Sequence, residues 1–252
     1  PGAVRTCVRL PRGHFLSKTG ALSHVPHSRC WLAIETATER AGVALGHRGQ
    51  TWTCESPGLV APSRHVYEWI DALLAAAGTR PAAIEAVAFG AGPGSFTGVR
   101  VAASVAQAFG HALGVPVWRV SSLAALAAGA LQASGASRAV VALDARMAAA
   151  YVGEYRRGPD GAPVALRPDR LVPAGEPLDL AGEGDAWVAA GPGFAACPAL
   201  LPAGIAPPVA VLPSLLPSAH DVLHLALSAP GLGQTVSPAG ALPNYLRDRV
   251  TR

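Results

Sequence analysis

Lysine is almost missing from this chain. Lys18 stands alone among 20 basic residues, and the other 19 are arginine. A Walker-type phosphate loop needs Lys-Ser or Lys-Thr after its glycines, so that class of nucleotide site is excluded from the body. Charge of either sign is scarce, at 14% of residues, while half the chain is hydrophobic. A disordered chain has the opposite balance, so a packed core is expected. The four cysteines, Cys7, Cys30, Cys54 and Cys197, form no Cys-x-x-Cys pair. Their scatter excludes a zinc knuckle and a disulfide scaffold, and suits a reducing, cytoplasmic setting. Uninterrupted apolar runs are lacking too. Residues 186–220 carry no formal charge, but seven prolines break them up. Residues 120–137 are uncharged but rich in Ser, Gly and Ala. Neither stretch predicts a membrane span.

Acid is absent from the first 30 residues, which hold Arg5, Arg9, Arg12, Lys18 and Arg29. The remaining residues carry 15 basic and 16 acidic side chains, a balance of −1. The formal charge of +4 therefore belongs to the head. The body has no overall electrostatic surplus for nucleic acid, so contact with RNA is expected only indirectly, through another protein. Residues 1–30 show no helical period, no alternation and no apolar stretch of the length a secretory signal needs. They read as a basic, disordered extension.

Order begins at Trp31. Residues 31–38, 41–47 and 50–55 read as three strands of an antiparallel meander. A helix then spans 63–77, with Val66, Trp69, Ile70, Leu73, Leu74 and Ala77 on one stripe. Ser63 suits its N-cap and Gly78 the position just past its end. A strand at 84–89, a glycine loop, a helix over 99–113, a strand at 116–120 and an alanine-rich helix capped by Ser121 or Ser122 complete the unit. The order β-β-β-α-β-α-β-α is the ribonuclease H-like pattern found in each half of the actin, hexokinase and Hsp70 superfamily. A second unit begins at Arg138: strands at 139–143, 148–155, 162–166 and 186–190, then Gly191-Pro-Gly193 and a helix over 218–228. The expected architecture is α/β, with two ribonuclease H-like lobes at 31–137 and 138–252, the second reduced.

The glycine loop holds Gly92, Pro93, Gly94, Ser95, Phe96, Thr97 and Gly98. Glycine-rich strand-to-helix turns can cradle phosphate on backbone N–H groups. The dinucleotide fingerprint needs a third glycine where Thr97 stands, so the better reading is a rigid corner, with Thr97 capping the next helix. Acid chemistry has few candidates. Asp144 with Arg146 sits at a strand end, but no histidine or second acid is placed beside it, and a local ion pair is the simpler reading. His220 and His224 share a helical face and could hold zinc. The shorter Asp221 stands where a zinc protease has glutamate, and no third ligand is in sight. No catalytic residue, metal or cofactor is assigned.

Five stretches occur in the order seen in one family: 32–38 (Leu-Ala-Ile-Glu-Thr-Ala-Thr), 92–100 (Gly-Pro-Gly-Ser-Phe-Thr-Gly-Val-Arg), 120–123 (Val-Ser-Ser-Leu), 144–147 (Asp-Ala-Arg-Met) and 243–247 (Pro-Asn-Tyr-Leu-Arg). Over residues 31–252 the chain resembles the TsaB (YeaZ) family, a subunit needed to make threonylcarbamoyladenosine in tRNA. The resemblance implies a non-catalytic scaffold or activator that pairs with a TsaD-type catalytic subunit and works with a TsaE-type ATPase. It also implies a possible homodimer when the subunit is alone. It places the pairing surface on the helices at 63–77 and 97–113, with Tyr67, Ile70, Leu74, Val105 and Phe109 as candidates. Arginine at Leu74 or Phe109 is then expected to break the complex and spare the fold. The chain departs from the family at Glu35, where aspartate is usual. The rival expectation is an ATP-dependent phosphotransferase or ATPase of the same superfamily, which would have to use Glu35 and Asp144 as its metal-binding acids.

Overall fold

The computed structural model describes residues 6–9, 15–19, 29–56, 64–180, 186–201, 206–228 and 233–247. Strands β1 (Thr6–Arg9) and β2 (Phe15–Thr19) pair antiparallel. Then come β3 (Cys30–Glu35), β4 (Ala41–His47) and β5 (Gln50–Ser56), an antiparallel meander along whose last strand β2 lies. The sequence predicts no strand in the head. Here two stretches of it extend the sheet, because β5 would otherwise present an open row of backbone groups.

Helix α1 (Val66–Ala76) leads to β6 (Ala86–Gly90), parallel to β3. Helix α2 (Phe96–Leu113) crosses to β7 (Val117–Val120), parallel to β6. Helix α3 (Ser122–Ser134) leads out to β8 (Arg138–Asp144) and its antiparallel partner β9 (Ala149–Arg157). Strands β10 (Pro163–Ala165) and β11 (Arg170–Pro173) both pair with β9. Strand β12 (Trp187–Ala190) runs parallel to β8, followed by the short α4 (Gly193–Ala196) and by β13 (Ala210–Leu212) beside β12. Helix α5 (Ala219–Ser228) and β14 (Gly233–Val236) close the chain, with β14 antiparallel to β7. Among the described residues the strands form two sheets, ordered β1-β2-β5-β4-β3-β6-β7-β14 and β10-β9-β8-β12-β13 with β11 on β9.

The cores follow from strand alternation. Leu32 and Ile34 of β3 point to one face, where they pack with Trp69, Ile70 and Leu73 of α1 and Ala102 and Ala106 of α2. Trp31 and Ala33 point to the other, where α5 packs on β3 and the cluster runs on through Val222 and Leu223 of α5 to Leu123, Leu126 and Leu131 of α3. The same cluster includes Val141, Leu143, Tyr155 and Val188 from the second sheet. Helices α3 and α5 are thus filling between two sheets. A helix covered on both sides must be apolar all round, which accounts for Ala124, Ala125, Ala127 and Ala130. The far face of the second sheet packs Val140, Ala142 and Val152 on Phe194 of α4 and on Leu178 and Leu200.

Some local expectations shift. The cap of α2 is Ser95, whose hydroxyl accepts from the Gly98 N–H, rather than Thr97. Thr97 instead lies inside the first turn. Ser121, not Ser122, caps α3. Ser63 lies outside the described residues, and His65 occupies the N-cap of α1 without a side-chain cap bond. Lobes at 31–137 and 138–252 are our proposal for the domain boundary; α5 and β14 then return from the second lobe to the first sheet. Among the described residues no helix is long and apolar enough to cross a membrane.

Candidate functional site

The carboxyl ends of β3 and β6 meet at the glycine loop. A Cβ on Gly90 would lie 1.9 Å from Glu35 Oε2, so glycine there makes room for the carboxylate. That carboxylate is fully buried. Its Oε1 accepts from the Ala37 N–H at 2.6 Å and its Oε2 from the Ser122 hydroxyl at 2.8 Å. Burial raises its pKa, against the hydrogen bonds from Ala37, Ser122 and Thr36.

The loop itself grips the turn after β3. Thr36 Oγ1 donates to the Gly98 carbonyl at 2.7 Å, and the Ser95 N–H donates to the Ala37 carbonyl at 2.7 Å. A Cβ on Gly98 would sit 1.9 Å from the Thr36 oxygen, and one on Gly94 2.4 Å from the Ala37 oxygen. The Gly92 carbonyl accepts from the Ser122 N–H at 2.9 Å. The loop is a junction that ties β3, α2 and α3 together, so its glycines answer to close backbone approach.

A second polar chain was not legible in the sequence. Ser121 Oγ accepts from the N–H groups of Leu123 and Ala124 and donates to Asp169 Oδ2 at 2.5 Å. The Tyr155 hydroxyl donates to Asp169 Oδ1 at 2.6 Å. Burial pushes the Asp169 carboxyl up against these hydrogen bonds, and burial with the Asp169 charge pushes the Tyr155 phenol well up. Only tertiary folding brings residues 121, 155 and 169 together; no spacing marks them.

Asp144 closes a turn. Its Oδ1 accepts from the Arg146 N–H at 2.7 Å and its Oδ2 lies 3.1 Å from Arg146 Nη1. Arg146, Met147 and Ala148 all have left-handed φ, at 60°, 52° and 52°. His220 lies 3.5 Å from Asp221, which accepts from the Ser218 hydroxyl. Among the described residues, no three His, Cys, Asp or Glu side chains gather as a metal site would need.

The five candidate interface residues divide. Ile70, Leu74 and Val105 are buried in the core between α1, α2 and the first sheet, and none presents a surface. The physical reason is that the stripe is wide enough for the sheet to cover all of it. Tyr67 is 52% exposed and stacks on half-buried Phe109, with ring centroids 6.4 Å apart. The sequence left unweighed a third cluster, at the mouth of the loop: Phe96, Arg100, Tyr245, Arg247 and Met147. Its members lie in three of the five family-like stretches, which was its signal.

Two mixed sheets clamping a helical layer, with glycine turns at the strand ends, define a two-lobed α/β protein of the actin, hexokinase and Hsp70 class, its second lobe reduced. The family model TsaD, tRNA N6-adenosine threonylcarbamoyltransferase, matches residues 61–180. The chain is 36% identical over 232 residues to the tRNA threonylcarbamoyladenosine biosynthesis protein TsaB of Escherichia coli, covering 87% of this chain and 95% of that protein. It is 38% identical over 126 residues to the TsaB of Haemophilus influenzae, about half of each chain. The solved structure of YeaZ from Pseudomonas aeruginosa superposes with a TM-score of 0.80 at 37% identity, over 86% of this chain and all of that one. The chain belongs to the TsaB family.

Proposed function

We propose that this chain is a non-catalytic scaffold or activator subunit in the biosynthesis of threonylcarbamoyladenosine in tRNA. It pairs with a TsaD-type catalytic subunit and works with a TsaE-type ATPase. The observation that carries the docking role is the stacked Tyr67–Phe109 pair, two aromatic side chains left on the outer face of α1 and α2. Aromatic anchors on a helical face, flanked here by the exposed Glu68 and Asp71, favour a packed partner over solvent. The same face would serve a homodimer when the chain is alone. The glycine loop acts as the structural junction behind it. Glu35 is spent on Ala37 and Ser122, and Asp144 on its own turn, which speaks against the two acids as a shared metal-phosphate site.

The test is size-exclusion chromatography with light scattering, mixing the chain with a TsaD-type protein from the same source. A defined heteromer is expected, and Phe109→Arg should abolish it while the variant stays folded. A heteromer that forms equally well with Phe109→Arg moves the interface elsewhere. A chain that ignores the partner overturns the scaffold reading.

A further inference from the structure

The carboxyl ends of β6 and β8 face one mouth, where open α/β folds hold their ligands. The side chains there are not those of a metal or phosphoryl-transfer centre. The Arg100 guanidinium lies 3.2 Å from the centre of the Phe96 ring, and the Tyr245 ring is 5.2 Å from it on the closing segment. Two residues on, Arg247 donates to the Met147 sulfur at 2.9 Å and to the Arg146 carbonyl at 3.3 Å. The Asn244 N–H donates to the Ala91 carbonyl at 2.7 Å, pinning that segment to the glycine loop. One continuous strip therefore runs from the loop of the first lobe to the turn of the second.

Phe96, Met147 and Tyr245 are 58%, 59% and 48% exposed, so the strip is open to solvent. Its charge is mostly positive, with three arginines to one aspartate. Arg100, Arg146 and Arg247 face Asp144 alone among the described contacts, and Asp144 is held by Arg146. Guanidinium groups attract phosphates, and rings already layered with a guanidinium offer flat faces to a base. Arginines alternating with aromatic faces along a strip match single-stranded nucleic acid, with its alternation of phosphate and base. The balance of −1 over the body averages this strip away.

We propose that the strip binds single-stranded RNA. The identity of that RNA as the tRNA substrate rests on the tRNA-modification role proposed above. The strip lies on the strand-end mouth and not on the Tyr67–Phe109 face, so one chain can hold a partner subunit and RNA together.

The experiment is fluorescence anisotropy of the full chain with a short, unstructured, labelled oligoribonucleotide at low and at higher salt. The chain is expected to bind it, more weakly as salt rises. Arg100→Gln and Arg247→Gln should each weaken binding several-fold, each reducing the salt slope by about 0.7, the single-strand value per lost phosphate contact. Phe96→Ala and Tyr245→Ala should weaken it about five-fold or more, the cost of losing a stacked base. Arg48→Gln, on the turn at the opposite end of the first sheet, should bind as the parent does. The proposal falls if the chain does not bind the probe, or if Arg48→Gln loses as much as the strip variants. It also falls if strip variants keep RNA affinity but lose the TsaD-type partner in light scattering, which would make the strip a protein contact. Loss of RNA affinity with assembly intact supports the proposal. A normal heteromer with no RNA effect removes the proposal and leaves the scaffold role standing.

Discussion

Gly98 and Thr36 show how little slack the junction has. A methyl group at Gly98 would meet the Thr36 carbonyl oxygen at 1.9 Å, a backbone atom that cannot turn aside as a side chain could. Gly98→Ala should therefore cost more than ordinary overpacking, on the order of 3 kcal/mol, measured by urea denaturation. Gly114→Ala, where nothing stands within 4 Å, should cost less; the strain of its φ of +66° is the cost there. Glu35 carries a different signature. Its folded pKa is raised by burial, so the fold holds this proton more tightly than the unfolded chain does. Its contribution is then fully present below the unfolded carboxylate pKa and is lost as pH rises through the folded value. Glu35→Gln can still accept from the Ala37 N–H and can donate to Ser122. The stability of the variant relative to the parent should rise as pH climbs above the ordinary carboxylate range, where the parent loses its proton. Equal slopes for the two proteins would show that Glu35 does not titrate there. The sequence marked Glu35 as the family's odd residue, but its burial depends on Gly90 and Ser122, far away along the chain.

At the scale of elements, α1 and α2 were visible in the sequence because their apolar stripes repeat at the helical period. What the period does not reveal is how far around the helix the sheet reaches. It reaches Leu74 and Val105, so these are core. Leu74→Arg should abolish folding, seen as loss of the cooperative thermal transition. Phe109→Arg, at a half-buried position on the edge of that core, should lower the melting temperature modestly and keep a cooperative transition. The expectation that both would act alike is corrected by burial. Helix α3 was legible as alanine-rich but not as enclosed, since a second sheet above it leaves no local mark. Leu126→Ala there should cost about 2–5 kcal/mol, the range for a buried leucine with little room to relax. Strands β11, β13 and β14 escaped the sequence because they are short and lie in polar or proline-rich surroundings, and pairing along β9, β12 and β7 is what makes them strands.

On the scale of the whole molecule, the chain crosses from the first sheet to the second and comes back. Gln107 Nε2 donates to the Ala241 carbonyl at 3.1 Å, and β14 pairs along β7. A chain cut after residue 228 would lose the edge of the first sheet and the Tyr245 and Arg247 side chains together. It should melt at lower temperature than the full chain in calorimetry. The overall order of strands and helices in the first lobe could be read from residues alone, since its helices and its longer strands carry their own periods and glycine turns mark the ends between them. The second lobe could be read only in outline, being short strands joined by proline-rich connections.

The alanines of α3 have one more consequence. Their small side chains let α3 lie close against the second sheet on one side and against α5 on the other, while α5 lies on the first sheet. The two lobes therefore meet helix against helix, and a swing of one against the other would have to slide α3 along α5 through a filled seam. Relative motion of that kind is shear between packed helices.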